Sequence, residues 1–424
     1  MPPSSLLRSL NGLRSLNGQV GGRLGPVSWS YLTLYAIASA NLVGGVLAAR
    51  LLGVEGRGRL ALLTQSAQTS ASALELGLGV GLVLWLGRNP GRLGEATRTF
   101  VRVAALLAFP ASLLTLSFLL LSGDRLNPTE VVLAISLCSG ALLMKPSIGL
   151  LRSEHKFKQV NRALLVVPIT YVPLMMAATL LGLPGSVTTV LCLSLAASLV
   201  GAAIAFRSLP SPRWSGSRLQ RNEIQAIFKG GVRSQLGVLS PMDYMQLDVL
   251  ILALTLPAVQ VGKYAVVASI ASLIRSQAYA AGMVLLARFS RQGMGIDMAM
   301  TAVRRPTLLV FATVPAVTVA AWFGVPILYG KAFVVALPVL VLVLAAAGAG
   351  AIKQLFYDVL RVHDRRATPT GIEVCLAGTF LTAILLAKPE DLLLPACLLF
   401  ILQALAATLA FTRARHLQTR QFLA

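Results

Sequence analysis

Long apolar runs alternate with short polar connections from residue 28 to the C-terminal tail. A run of about 20 apolar residues is the length a helix needs to cross the ~30 Å hydrocarbon core of a bilayer. Twelve such spans can be read. The first six are at 28–49, 60–86, 100–122, 130–151, 162–182 and 186–206; the second six are at 231–254, 261–287, 306–328, 333–355, 368–387 and 392–411. The runs are continuous and do not alternate with period two, which argues against the strands of an outer-membrane barrel. The pattern predicts an all-α integral membrane protein.

One interruption is unusually charged. Residues 46–65, VLAARLLGVEGRGRLALLTQ, place Arg50, Glu55, Arg57 and Arg59 between spans one and two, with Gly53, Gly56 and Gly58 allowing a tight turn. Two readings stay open for Arg50: contact with outer headgroups, or receipt of an anion emerging from the protein. For Arg57 and Arg59 the expectation is headgroup contact.

The chain repeats itself. GRLALL at 58–63 matches GKYAVV at 262–267, an offset of 204. In span two, Gln65, Gln68, Ser72 and Glu75 recur at intervals of 3, 4 and 3, one face of a helix. The same offset leads to Ser269, Ser272, Ser276 and Tyr279 in span eight. This predicts a duplicated six-helix unit, with two pseudo-symmetric lobes around a central cleft. The polar, Pro- and Ser-rich stretch RSLPSPRWSGSRLQRNE, 207–223, separates the halves. The expected organisation is a leader (1–27), an N-terminal lobe (28–206), a linker (207–228), a C-terminal lobe (229–412) and a tail (413–424).

Composition sharpens this picture. Only 12% of the 424 residues are charged, and the mean hydropathy is +0.76. A soluble domain carries about a quarter charged residues, so this chain lacks a water-soluble surface. The net charge of +22 is a topology signal, because 27 of the 37 Lys and Arg fall in alternate connections and the termini. The opposite connections hold 7. By the positive-inside rule both termini are cytoplasmic, and the charge is not read as a sign of a nucleic-acid partner; the expected location is the cell's inner membrane. No cleavable signal peptide is visible at the start. The duplicated RSLNGLRSLNG aligns Leu6, Leu10 and Leu13 either for the inner leaflet or within a plain leader.

The chemistry-bearing motifs of enzymes are missing. Cys138, Cys192, Cys375 and Cys397 are isolated, so no zinc site or disulfide framework is suggested. There is no HExxH, GxSxG or Walker A sequence, and no cofactor or metal is implied. The glycine-dense GLGVG at 77–81 reads as close helix contact. The chain is not read as an enzyme.

Charges inside spans are costly, at least ~2.5–3.5 kcal/mol each near the midplane, and mark function or pairing. Glu75 and Arg275 lie near the midplanes of spans two and eight, where they either line a cavity or form structural pairs, one option being with each other. Lys145 and Lys353 lie at near-equivalent places in spans four and ten, either lining the cleft or snorkelling, as does Arg233 at the start of span seven. Asp243 and Asp248 follow Pro241, which is expected to open the helix of span seven. On a regular helix these two aspartates face opposite ways and line different surfaces. A cleft with Arg275, Lys145, Lys353 and Arg50 attracts an anion such as phosphate or pyrophosphate. Gln65, Gln68 and Ser72 suit a hydroxyl-rich ligand. Glu75, Asp243 and Asp248 are the candidates for ion coupling.

Three stretches resemble a known family: AARLLGVEGRGRLALL with LELGLGVGLVLWLGR; FKGGVRSQLGVLSPMDYMQLDVLILALTLPAVQVGKYAVVASI; and VPILYGKAFVVALPVLVLVLAAAGAGAIKQLFYDVLRVHDR. They look like the polysaccharide flippases, the O-antigen and exopolysaccharide translocases of the multidrug/oligosaccharidyl-lipid/polysaccharide exporter superfamily. That resemblance implies movement of undecaprenyl-pyrophosphate-linked oligosaccharide from the inner to the outer leaflet by alternating access. Its partners are then the lipid-linked glycan, membrane lipids and the polysaccharide polymerase machinery. Arg50 and Asp248 fall on the family's pattern positions. Lipid II flippases and multidrug or cation antiporters share the scaffold, the latter favouring an acidic cleft. The family often has fourteen spans, two more than are read here.

Overall fold

The computed structural model describes residues 26–424 apart from positions 76, 90, 125–126, 155, 210–218, 239–241, 244, 293–294, 364–367 and 424. The leader reading of residues 1–25 lies outside the described residues. Helices follow one another along the whole described chain. The N-terminal set is α1 (Pro26–Leu74), α2 (Leu78–Arg88), α3 (Leu93–Leu121), α4 (Pro128–Ser153), α5 (Phe157–Leu180) and α6 (Val187–Arg207). The C-terminal set is α7 (Arg221–Val238), α8 (Leu247–Thr255), α9 (Ala258–Gln292), α10 (Ile296–Leu328), α11 (Leu337–His363), α12 (Thr368–Ala387) and α13 (Leu393–Leu423). Local sequence sets several starts. Asn127 accepts from the Thr129 N–H at the head of α4, and Ser186 accepts from Thr189 N–H at the head of α6.

The outward surface is apolar. Leu106, Leu180, Leu386, Phe109 and Phe323 are all largely exposed, whereas Thr97, Asp248, Lys353 and Gln403 are buried. Water would not tolerate that surface; hydrocarbon does. The molecule is a multi-pass membrane protein.

Ten of the described helices are long and apolar enough to cross a membrane, against twelve expected spans. The difference has two physical causes. Spans one and two run together within α1 as two helices joined directly at a kink at Gly53, whose φ of 68° and ψ of −174° are open only to glycine at low cost. A straight helix would hold Gly45 and Arg57 about 18 Å apart. A Cβ on Gly45 would instead lie 4.0 Å from Arg57 Nη2, so the chain doubles back. Span seven is split into α7 and α8, with Met242 and Asp243 in a turn and Gln246 left-handed at φ 48°. Pro241 lies outside the described residues; α7 ends at Val238 and α8 begins at Leu247. Span two is also broken, between Leu74 and Leu78 with Gly77 at φ 70°, and resumes as α2.

The duplication is visible in the backbone. Residues 54–88 correspond at an offset of 204 to α9, Ala258–Gln292, end for end. By the fourth helix the offset has grown, because α10 has 33 residues against 29 in α3 and its following turn is longer. Lys145 and Lys353 accordingly sit at matching depths in α4 and α11. The two lobes meet where the second half of α1 packs along α9. Their crossing is reciprocal. A Cβ on Gly58 would stand 1.9 Å from the Ala258 carbonyl oxygen, and one on Gly262 would stand 1.9 Å from that of Val54. Val54 and Ala258 are themselves 204 residues apart, so this contact lies on the pseudo-two-fold axis.

The GLGVG segment behaves as close packing. A Cβ on Gly81 would meet the Ile227 carbonyl at 2.2 Å, and one on Gly231 that of Gly77 at 2.4 Å, where α2 lies on α7. A Cβ on Gly149 would meet the Gly79 carbonyl at 2.9 Å.

Candidate functional site at the lobe interface

Inward of the glycine crossing lies a cavity of about 90 Å³ lined by Arg57, Ala61, Thr64 and Gln65 of α1, Ala265, Ala268 and Ser269 of α9, and Gln246 with Val249. Ala61 and Ala265, Thr64 and Ala268, and Gln65 and Ser269 are each 204 apart, so the cavity straddles the same axis. It is large enough for several waters. Arg57 reaches across it, with Nη2 at 3.5 Å from Ser269 Oγ. Its Nε is buried and has no hydrogen-bond partner among the described residues. Gln65 donates to the Met245 carbonyl, which the break in span seven leaves without a helical partner. Non-helical backbone at this depth is tolerated because protein covers it.

The basic hairpin is therefore not a headgroup-binding cap. Arg50 donates through Nε to the Leu328 carbonyl at 2.6 Å and through Nη2 to that of Ile327 at 2.8 Å. These are carbonyls at the C-terminal end of α10 in the other lobe, where a cation is favoured. Arg59 pairs with Glu130 of α4 at 3.3 Å. Arg57 points into the cavity and Arg59 into its own lobe, which corrects the expectation of outer headgroup contact for both.

The deep charges are grouped by lobe. Lys145 donates to Ser72 Oγ, and Glu75 lies beside the same lysine. Arg275 does not meet Glu75. It faces two aspartates, with Nε 3.8 Å from Asp243 Oδ1 and Nη2 3.5 Å from Asp248 Oδ2. Tyr264 donates to Asp248 Oδ2 at 2.6 Å. The expectation that Asp243 and Asp248 serve different surfaces fails, because the break before α8 removes the helical phase on which it rested. Lys353 is fully buried and bonded to Asp243, Glu373 and Gln403, so it is neither snorkelling nor open to the cleft. Gln68, alone of the stripe, is exposed. The side chain of Arg233 lies outside what is described.

A second opening, of about 400 Å³, sits between Tyr35 of α1 and Gln277, Arg305, Pro306 and Leu309 of α9 and α10.

No protein-family model and no curated protein matches the sequence. Solved structures do match. A lipid II flippase MurJ in an inward closed conformation aligns with a TM-score of 0.70 and 11% identity, over 91% of this chain and 87% of that one. An inward-facing multidrug resistance MATE family transporter of the MOP superfamily gives 0.65 and 14%, over 91% and 94%. A MOP superfamily transporter from Pyrococcus furiosus, described as having a binding pocket of reversed polarity, gives 0.59 and 16%, over 93% and 96%. The fold is that of the MOP transporters.

In this MOP fold the lobes are fastened at both ends. The Arg50 contacts and the glycine crossing close the hairpin end. At the opposite end Arg92, just before α3, forms a fork on Glu223 of α7 and also bonds Glu95 at 2.9 Å. Glu223 in turn accepts from the Gln220 N–H at 2.8 Å, one arm of a capping box, which fixes it at the head of α7. Arg92 holds the Glu223 carboxyl below its ordinary range, and the carboxylates raise the Arg92 guanidinium further.

Sequence reasoning passed over Glu373 and Gln403 and assigned Arg57 to headgroups. Glu373 carried the same signal as Glu75, an ionisable side chain inside a span. Arg57 gave none, because a hairpin arginine reads alike whether it turns inward or outward.

Proposed function

We propose that this protein is a flippase that moves undecaprenyl-pyrophosphate-linked oligosaccharide from the inner to the outer leaflet by alternating access. The observation that carries the reading is the half-buried Arg57, whose Nε is buried and has no hydrogen-bond partner among the described residues, in a polar cavity on the axis between the lobes. A cation with an open donor, surrounded by Gln65, Gln246, Thr64 and Ser269, offers charge-assisted bonds to a phosphate and amide or hydroxyl partners to sugars. In this reading the cavity widens as the lobes part at one end and the other stays latched. The lipid tail remains in the bilayer.

The orientation follows the positive-inside reading, with both termini in the cytoplasm of a cell whose inner membrane holds the protein. Arg50 and Arg57 then mark the outer gate, and Arg92 with Glu223 the inner one. Arg275 holds the two aspartates at the break in span seven and acts on substrate only when they release it. Glu75, beside Lys145, is the carboxylate assigned to ion coupling. A cationic cavity opposes cationic drugs, which sets the antiporter reading behind the glycolipid one.

The likeness to a lipid II flippase keeps a second reading with the same pyrophosphate chemistry and a different sugar. Deleting the gene decides between them. Cytoplasm-facing polysaccharide precursor accumulates if the first reading holds, and lipid II if the second does. Complementation by Arg57→Ala, at normal protein level, restores less than a tenth of the wild-type flux. No change in either lipid on deletion sinks both.

A further inference from the structure

Three polar groups converge beside Gly45. A Cβ placed on that glycine would find nothing outside its own helix nearer than Tyr329 Oη at 3.8 Å, Ser269 Oγ at 3.9 Å and Arg57 Nη2 at 4.0 Å. Tyr329 directly follows α10 and is 4% exposed, and its hydroxyl has no hydrogen-bond partner among the described residues. Its ring is held against Phe333, with centroids 6.1 Å apart. Arg57 Nη2 carries two N–H groups and directs one at Ser269 Oγ, whose own proton goes to the Ala265 carbonyl at 2.7 Å. Charge decides what suits this corner. Arg59 has Glu130, whereas Arg57 makes no ion pair among the described residues. None of the side chains lining the cavity that shares Arg57 and Ser269 is acidic. A guanidinium and a hydroxyl with donors to place, and one unbalanced positive charge, match a ligand that only accepts and carries a single negative charge. The room is close to that of one methyl group, which admits a halide and not a substituted phosphate.

We infer that a small monovalent anion of halide size binds beside Gly45, between Arg57 and Tyr329, and fastens the hairpin end of the two lobes. Arg57 belongs to the N-terminal lobe and Tyr329 to the C-terminal one, next to the Leu328 carbonyl that takes Arg50. The two donors converge only while the lobes touch at that end. An anion held by both therefore favours the shut arrangement by its differential affinity. The inference does not rest on the glycolipid reading, because it concerns the closure of the hairpin end and not what passes through it.

The test uses the purified full chain in detergent, in a background without native cysteines, with chloride exchanged for gluconate at constant Na⁺ and ionic strength. Chloride raises the unfolding temperature by about 2–4 °C, saturably, and bromide replaces it. Spin labels at Glu55 and Lys331 report the hairpin end, and their short-distance population grows over the same chloride range. Tyr329→Phe removes one hydroxyl and raises the half-saturating chloride concentration about 5–10-fold. Gly45→Ala sets its methyl at ordinary contact distances in the same space, so it folds and loses both chloride responses. A chain indifferent to chloride in both measurements overturns the inference. So does a response that survives Gly45→Ala undiminished, or a stabilisation that leaves the hairpin distances unchanged.

Discussion

Arg50 of α1 and Leu328 of α10 are joined across the lobe interface, guanidinium Nε to carbonyl oxygen, at 2.6 Å. A second bond to the Ile327 carbonyl makes the contact two-pronged, which suits arginine and not lysine. Arg50 is exposed, so each bond is worth only about 1 kcal/mol. Arg50→Ala and Arg50→Lys should therefore fold normally and open the hairpin end more often. In a background without native cysteines, Ser269→Cys labelling by a membrane-impermeant thiol reagent should rise about 5–30-fold with Arg50→Ala, the factor expected from 1–2 kcal/mol. An unchanged labelling rate would show that the glycine crossing alone keeps that end shut.

The crossing itself gives a sharper effect. Gly58→Ala and Gly262→Ala each drive a methyl into a backbone carbonyl, with no flexible side chain to yield. Overpacking of this kind costs about 1–3 kcal/mol. Because the strain exists only while α1 and α9 touch, both variants should favour the separated arrangement. Distances between spin labels at Glu55 and Lys331 should lengthen in both variants to a similar degree, as the symmetry demands.

Acid should loosen the other end. The Glu223 carboxyl is held below its ordinary range by Arg92, so the pair is intact above that range and is lost as pH falls through the lowered value. Accessibility of the end bearing Arg92 should thus increase on acidification. Glu223→Gln should show the open behaviour at neutral pH and no further rise in acid. Hydrogen exchange of the first turns of α3 and α7 across that pH range measures it.

The Arg275 cluster predicts non-additivity. Asp248 is fully buried and receives both Arg275 and Tyr264. Removing one partner strands the other, at about 3–5 kcal/mol. Arg275→Met should lower the unfolding temperature strongly, and Arg275→Met with Asp248→Asn should recover a substantial part of that loss. Simple addition of the two single effects would mean that the groups do not interact.

Much of this molecule is legible in its sequence. The apolar runs, the offset of 204 and the face shared by Gln65, Ser72 and Glu75 follow from periodicities that backbone geometry imposes. Legibility ends where the helix stops being regular. Asp243 and Asp248 look opposed at 100° per residue, yet the left-handed Gln246 between them resets the phase and both reach Arg275. Lys145 and Lys353 look alike in sequence and sit at like depth, but their partners come from different helices in each lobe. Pairing partners at long range have no local signature. The turn at Gly53 is readable as a turn, whereas the direction of the arginines leaving it depends on the lobe lying opposite.

The touching point of α1 and α9 consists of main chain against main chain, without rotamers to rearrange. A bearing of that kind lets the long helices tilt against each other. From Gly262 to the far end of α9 is about 45 Å of helix, so a tilt of about 10° at the glycines swings the distant tip by about 8 Å. Small angular changes beside the hairpin thus become displacements of sugar-ring size at the opposite face.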